Sequence, residues 1–241
     1  MDVVPVIDLM GGEVVHARRG ERGSYRPIRS PLVEGSGPLA VASALLRLAP
    51  FKRLYVADID AIRGGRGHDH AVSALAAAHP AVELWIDRGA ADVEDLSERR
   101  EAGEGTAVIG TESFEDVRTL GHALKASRGV LSLDHDAEGP IGPPAAHEDA
   151  ALWPDRMIVM TLARVGADSG PDFARLADVV KRAGDRSVYA AGGVRGIDDL
   201  RALAEIGVAG ALVASALHDG RLRPDDLAGL LAAPPRTAPR P

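Results

Sequence analysis

Eight short apolar, β-branched runs punctuate the chain: Val3–Ile7, Arg53–Ala57, Val82–Ile86, Ala107–Ile109, Val130–Leu133, Met157–Met160, Ser187–Ala191 and Ala211–Val213. Their hydrophobicity is continuous rather than alternating, which suits strands buried on both faces of a parallel sheet. Between them lie longer stretches with apolar residues at helical spacing. These predict helices at Leu39–Leu48, at Asp69–Ala78 (stopped by His79-Pro80) and at Ser113–Leu124, where Ser113 opens a capping pattern with early acids. Asp172–Ala183 and Ile197–Ile206 each end on a glycine, Gly184 and Gly207, and Asp225–Ala232 is the last helix. Pro234–Pro241 carries no pattern and is expected to be disordered.

Eight runs in 241 residues give roughly 30 residues per unit, the size of one βα unit. Two architectures fit: a closed (β/α)8 TIM barrel, for which about 250 residues is typical, and a doubly wound open sheet. A dinucleotide-binding sheet should follow its first strand with a G-x-G-x-x-G turn. Here Asp8-Leu9-Met10-Gly11-Gly12 follows, and the barrel is preferred, as one domain over residues 1–233. A weak half-barrel repeat supports it. A shift of 104 residues lays Asp87–Leu96 on Ala191–Leu200 and Val108–Thr111 on Leu212–Ser215, and a shift of 126 lays Val6–Asp8 on Ser132–Asp134. Every echo falls at the C-terminal end of a strand, where such barrels keep their active sites.

Composition narrows the chemistry. There are no cysteines, which excludes disulfides, thiolate metal sites and a cysteine nucleophile and fits a cytoplasmic protein. The net charge is −7 and aromatic residues are only 3%, so neither the basic face nor the stacking platforms of a nucleic-acid partner are expected. No apolar run reaches the ~18 residues of a membrane span, and the N-terminus lacks the basic start of a signal peptide. Of the 28 cations only Lys52, Lys125 and Lys181 are lysines; the rest are arginines.

The strand ends carry the candidate chemistry. Asp8 and Asp134 end strands one and five, which face each other across a closed barrel. They are either a general acid–base pair for a small molecule or caps of the turns that follow. Gly192-Gly193 after strand seven and Ala214-Ser215 after strand eight occupy the loops that commonly hold phosphate, through backbone N–H groups. Their echo, Gly89 with Gly110-Thr111, suggests a second phosphate site, with Arg88 supplying a guanidinium. Thr161, after strand six, is a candidate substrate contact. His16, Arg18, Arg19 and Arg22 lie in a glycine-punctuated loop, Gly11–Gly23, either closing over an anion or solvated. Asp58, Asp60, His68, Asp69 and His70 match no metal-ligand spacing, so no metal is expected. His135 and Asp136 flank Asp134 and either tune it or line its loop.

Several stretches resemble the family of the ProFAR isomerase (HisA) and HisF-related barrels of histidine biosynthesis. They are Pro5–Val15 (Pro-Val-Ile-Asp-Leu-Met-Gly-Gly-Glu-Val-Val), Tyr55–Asp58, Val108–Thr111, Gly192–Leu200 and Gly210–Gly220. The resemblance implies a (β/α)8 barrel that binds a bis-phosphorylated ribotide, one phosphate in each half. It implies an Amadori-type aldose–ketose isomerisation without cofactor or metal, in a monomer or small homo-oligomer. Asp8 would be the acid–base group, Asp134 its partner and Thr161 the group that orients the substrate.

The departures are specific. Asp87-Arg88-Gly89 replaces a run of three glycines, Arg164–Asp168 replaces an Asp-Gly-Thr run, and Val15–Arg22 is unlike the usual first loop. The strand-five loop lacks its covering tryptophan, Trp153 lying too far on. They point to a divergent branch, related to proteins of C1-carrier (methanopterin- or methanofuran-type) cofactor biosynthesis. Three functions stay open: an isomerase of a ribotide or sugar phosphate, a lyase or synthase on the same scaffold, and a catalytically silent phosphate binder.

Overall fold

Each of the eight apolar runs forms a strand, and an additional hairpin lies between the first two. The computed structural model describes residues 1–89 and 92–232, so the expected disorder of Pro234–Pro241 lies outside the described residues. The strands are β1 (Asp2–Met10), β2 (Glu13–His16), β3 (Arg26–Pro27), β4 (Arg53–Asp58), β5 (Glu83–Asp87), β6 (Thr106–Gly110), β7 (Val130–His135), β8 (Arg156–Thr161), β9 (Ser187–Ala191) and β10 (Gly210–Val213). Parallel pairing runs β1-β4-β5-β6-β7-β8-β9-β10 and closes through Asp2↔Gly210 and Val3↔Ala211. The chain is a closed (β/α)8 TIM barrel. β2 and β3 pair antiparallel beyond β1; in Glu13-Val14-Val15-His16 the two central valines are buried and the two flanking polar residues exposed.

The helices are α1 (Pro38–Leu46), α2 (Ile59–Ile62), α3 (Asp69–Ala78), α4 (Val93–Glu101), α5 (Val117–Ser127), α6 (Pro144–Glu148), α7 (Phe173–Ala183), α8 (Ile197–Glu205), α9 (Ser215–His218) and α10 (Pro224–Ala232). Among the described residues no helix is long and apolar enough to cross a membrane. The expected start of α5 at Ser113 is corrected. Thr111–Ser113 is a short 3-10 turn, and the cap is Asp116, whose carboxylate accepts from the N–H groups of Arg118 and Thr119 at 3.0 and 2.9 Å. α4 escapes a periodicity search because Leu96 is its one buried residue. It starts on Asp92, which accepts from Glu94 N–H at 2.8 Å.

Gly121 lies in the middle of α5, with open space where a Cβ would stand. Gly121→Ala removes the entropic cost of a helical glycine, roughly 0.5–1 kcal/mol. The expected result in a thermal melt is a rise of about 2 °C.

Period-two alternation sorts each barrel strand into two cores. Val3, Ile7 and Leu9 of β1 face the helices, with Leu131 and Leu133 of β7. Val4 of β1 and Val130 of β7 face the barrel interior, together with Tyr55, Trp85, Val108, Ile158, Tyr189 and Leu212. The interior is thus layered with side chains. Its lower layer holds the buried Trp85, edge-on to Tyr189 with ring centroids 4.8 Å apart. Arg53 and Arg156 lie over the Trp85 ring at 5.4 and 5.5 Å. Both also bind Glu83, at 2.9 and 2.7 Å, and Arg53 pairs with Asp2. Burial alone would raise the Glu83 carboxyl, but hydrogen bonds from Arg156 and Thr106 hold it down at about 2.

Candidate active site

The same alternation that buries Val4 and Val130 in the barrel carries on to the strand ends. In β1 it turns Asp8 inward, and in β7 it turns Ser132 and Asp134 inward. In β5, Trp85 is followed two residues on by Asp87. All three aspartates line a cavity of about 630 Å³ at the C-terminal mouth, within the range of small-molecule sites. β1 and β7 stand first and fifth in the ring of eight, so Asp8 and Asp134 approach from opposite walls.

Each carboxyl has a different setting. Asp8 is half-buried, and among the described residues no hydrogen bond reaches its side chain. Burial, reinforced by the charge of Asp87, pushes it up to about 7. Burial also raises Asp134 to about 7, aided by the charges of Glu112 and Asp87 and opposed by hydrogen bonds. Ser132 Oγ donates to its Oδ1 at 2.6 Å, and Glu112 N–H to its Oδ2 at 3.1 Å. Burial lifts Asp87 to about 6, although Gly89 N–H (3.0 Å) and the Tyr55 hydroxyl (2.8 Å) both donate to it. The Tyr55 phenol in turn rises well above its ordinary value, through burial and the charge of Asp87.

At the β9–β10 side, Gly192, Gly193, Ala214 and Ser215 all line the cavity. Gly192 and Gly193 have φ of +100° and +87°, and a Cβ there would lie 2.6 Å from the Thr161 carbonyl oxygen and 2.3 Å from that of Gly170. The backbone is pressed against its neighbours in a conformation open to glycine. Among the described residues, no acceptor takes the N–H of Gly193 or Ser215. The Ser215 hydroxyl lies 3.4 Å from His16 Nε2. Arg29, Arg164 and Arg221 line the same end. Arg164 donates to the Gly170 carbonyl at 2.8 Å, and Arg221 pairs with Asp168 and Asp219 at 2.5 and 3.0 Å.

The first loop folds over the mouth as the β2–β3 hairpin, contributing Val14, Val15, His16, Ala17, Arg22 and Tyr25 to the lining. Its base is pinned by the acid and histidine cluster that matched no metal spacing. Asp58 holds His68 Nδ1 at 2.8 Å, His68 Nε2 accepts from Gly12 N–H at 2.9 Å, and Asp60 accepts from Gly11 N–H at 2.7 Å. Its tip is tied down where Arg19 N–H donates to the Val165 carbonyl at 2.8 Å. The Arg18 and Arg19 side chains are exposed and outside the cavity lining, and Arg22 is the guanidinium of this loop that enters it.

Several of the other expected residues sit away from the cavity lining. Arg88 follows the inward Asp87 and so points outward, to Asp69 and Glu104 at 3.1 and 3.3 Å. Thr161 follows the inward Met160, is buried outside the cavity, and has Arg175 Nη1 3.5 Å from its hydroxyl. Thr111 is fully buried, and its Oγ1 accepts from Asp134 N–H at 2.9 Å. Gly89 packs against Ile62, and Gly110 against the Asp134 carboxylate. None of the residues expected at a second phosphate site, Gly89, Gly110, Thr111 and Arg88, lines the cavity; Asp87 and Glu112 line that wall instead. His135 also points outward, with Nδ1 3.0 Å from the Leu133 carbonyl oxygen. Sequence reasoning missed Asp87, Tyr55, Glu112, Arg29 and Arg221 as lining residues; for Asp87 the available signal was its place two residues beyond the inward Trp85.

Comparison with known proteins agrees with this geometry. Residues 2–223 match the family described as histidine biosynthesis protein. A Rubrobacter xylanophilus protein is 32% identical over 240 residues, covering 93% of this chain and 94% of its own. A Chloroflexus aggregans protein is 27% identical over 237 residues, covering 92% and 94%. Both are named 1-(5-phosphoribosyl)-5-((5-phosphoribosylamino)methylideneamino) imidazole-4-carboxamide isomerase. An uncharacterised protein of Methanocaldococcus jannaschii is 28% identical over 225 residues, covering 92% and 95%. With a closed barrel and a match over nearly its whole length, the chain belongs to the histidine biosynthesis protein family.

Proposed function

We propose that the protein is a cytoplasmic isomerase that converts a phosphorylated aminoaldose, a ribotide or sugar phosphate, into the corresponding ketose by acid–base catalysis. The observation that carries this reading is the pair Asp8 and Asp134, set on opposite walls of one cavity and both held near neutrality. The isomerase names of the two bacterial relatives support it. Free backbone N–H groups at Gly193 and Ser215 seat the phosphate. A protonated carboxyl gives its proton to the ring oxygen as the ring opens, leaving an iminium at C1. An ionised carboxyl then removes the C2 proton, and the resulting enolamine tautomerises to the aminoketose. The two aspartates fit these steps because, with each raised to about 7, states with one carboxyl protonated and the other ionised are well populated near pH 7. Thr111 and Ser132 act as positioning residues for Asp134.

The pH dependence follows with a definite sign. Below about pH 6 both carboxyls are protonated and the base is lost, while above about pH 8 both are ionised and the acid is lost. The expected kcat/KM profile is a bell with its maximum close to pH 7. A plateau extending unchanged from pH 5 to 9 would remove the pair from the mechanism.

A lyase or synthase on the same scaffold, of the C1-carrier cofactor type, is the second reading. The observation favouring it is the acid-lined wall of Asp87 and Glu112. Expression in a strain lacking the histidine-pathway isomerase separates the two: growth without histidine supports ribotide isomerisation, and no growth favours a different substrate. A catalytically silent phosphate binder would bind sugar phosphates without turning any over.

A further inference from the structure

The two halves of the barrel repeat one another in sequence, and the cavity exposes how they have diverged. Under the 104-residue shift Gly193 corresponds to Gly89, Ala216 to Glu112 and Ala191 to Asp87. In the β9–β10 half, no acceptor among the described residues takes the N–H of Gly193 or Ala216. In the β5–β6 half both equivalent N–H groups are already taken, each by a carboxylate. Gly89 N–H donates to Asp87 Oδ1 at 3.0 Å, and Glu112 N–H to Asp134 Oδ2 at 3.1 Å. The protein's own carboxylates thus hold the donors that a phosphate would need.

Charge points the same way. Arg88, the cation closest in sequence to this wall, is drawn out of the mouth by Asp69 and Glu104. Arg22 does reach the wall, but its Nη2 is on Glu112 Oε1 at 2.5 Å. The wall therefore presents Asp87, Glu112 and Asp134, with Asp8 opposite, against a single guanidinium. A second phosphate brought here would meet like charges with no free N–H group to offset them. A positively charged donor would be attracted. An ionised carboxylate has about four acceptor positions, and Asp87 uses two, for Tyr55 and Gly89.

We propose that the substrate carries one phosphate, seated by Gly193 and Ser215, and that its far end is a protonated amine recognised by Asp87 and Glu112. This rests on the isomerase reading above and narrows its substrate class from phosphorylated aminoaldoses in general to an amine-bearing monophosphate.

Two binding measurements test it, neither of which depends on turnover. In the first, inorganic phosphate is titrated into 15N-labelled protein. Saturable amide shifts are expected at Gly193 and Ser215, with none at Gly89 and Glu112. A saturable shift at Gly89 or Glu112, or none at Gly193, overturns the single-phosphate assignment. In the second, calorimetry compares glucosamine 6-phosphate with glucose 6-phosphate. The amine is expected to bind at least ~10-fold tighter, a preference falling to within about twofold in Asp87→Asn/Glu112→Gln. Equal affinities in the unaltered protein, or a preference unchanged in the variant, overturn the amine assignment. Should the double variant not fold, Glu112→Gln alone, on a part-exposed residue, must reduce the preference severalfold. Failure of the isomerase reading shows up separately, as binding in this order by a protein that exchanges no substrate C2 proton with solvent.

Discussion

Asp8→Asn lowers kcat by about 10²–10⁴-fold, the contribution of one positioned acid or base, and at the same time raises the melting temperature of the unliganded protein at pH 8. Asp134→Asn lowers kcat to the same degree. The stability half of this expectation comes from linkage. The Asp8 carboxyl stands at 3.8 when unperturbed and at about 7 in the fold, so between these values the folded state holds a proton that the unfolded chain has released. Its contribution to stability is complete below about pH 4 and is lost as pH rises through 7. At pH 8 the folded protein carries a half-buried charge that no hydrogen bond among the described residues relieves. Asparagine removes that charge at nearly constant shape. Melting curves at pH 5 and pH 8 should show a smaller fall for Asp8→Asn than for the parent. Near-parental kcat in either variant would take that aspartate out of the chemistry. A lower melting temperature for Asp8→Asn at pH 8 would mean that Asp8 is not a destabilising charge.

Gly193→Ala is expected to lower kcat/KM about 100-fold and to weaken phosphate binding in parallel. A Cβ at this position would lie 2.3 Å from the Gly170 carbonyl oxygen, on a residue with φ of +87°. Backbone cannot yield as a flexible side chain does, so the turn itself must move. A displacement of about 1 Å in a group that seats the substrate is enough for a loss of this size. The variant should also melt several degrees lower, because the left-handed conformation is strained for alanine. Unchanged phosphate affinity in a folded Gly193→Ala protein would place the phosphate elsewhere. Gly121→Ala is the contrasting case, since nothing stands in the way of its methyl group.

The strands were legible because a fully buried parallel strand has few alternatives: a short, continuous β-branched run between polar turns. All eight runs became barrel strands, and six of them extended by one to three residues at the mouth, where Asp8, Asp87 and His135 lie. Parity was the information left unused. Counting in twos from Trp85 puts Asp87 inside and Arg88 outside, and counting from Ile158 puts Met160 inside and Thr161 outside. A strand apolar on both faces hides this count, since nothing polar marks which face is the interior. α4 was missed for the opposite reason: one buried leucine, Leu96, leaves no periodicity to find. The pairing of Arg22 with Glu112 joins residues 90 positions apart, and no local pattern encodes it. The β2–β3 hairpin lay within a stretch whose glycines suggested only a loop, and its two adjacent valines, Val14 and Val15, are too short a run to mark a strand.

The layer built on Trp85 and Tyr189 has a consequence for traffic through the barrel. With that end filled by side chains and clamped by Arg53 and Arg156, the described residues close the barrel below the cavity and leave its doorway at the C-terminal mouth. The hairpin pinned by His68 and Asp60 forms part of the frame of that doorway. Water must leave by the route the substrate takes in, and product must clear that route before the next molecule can enter.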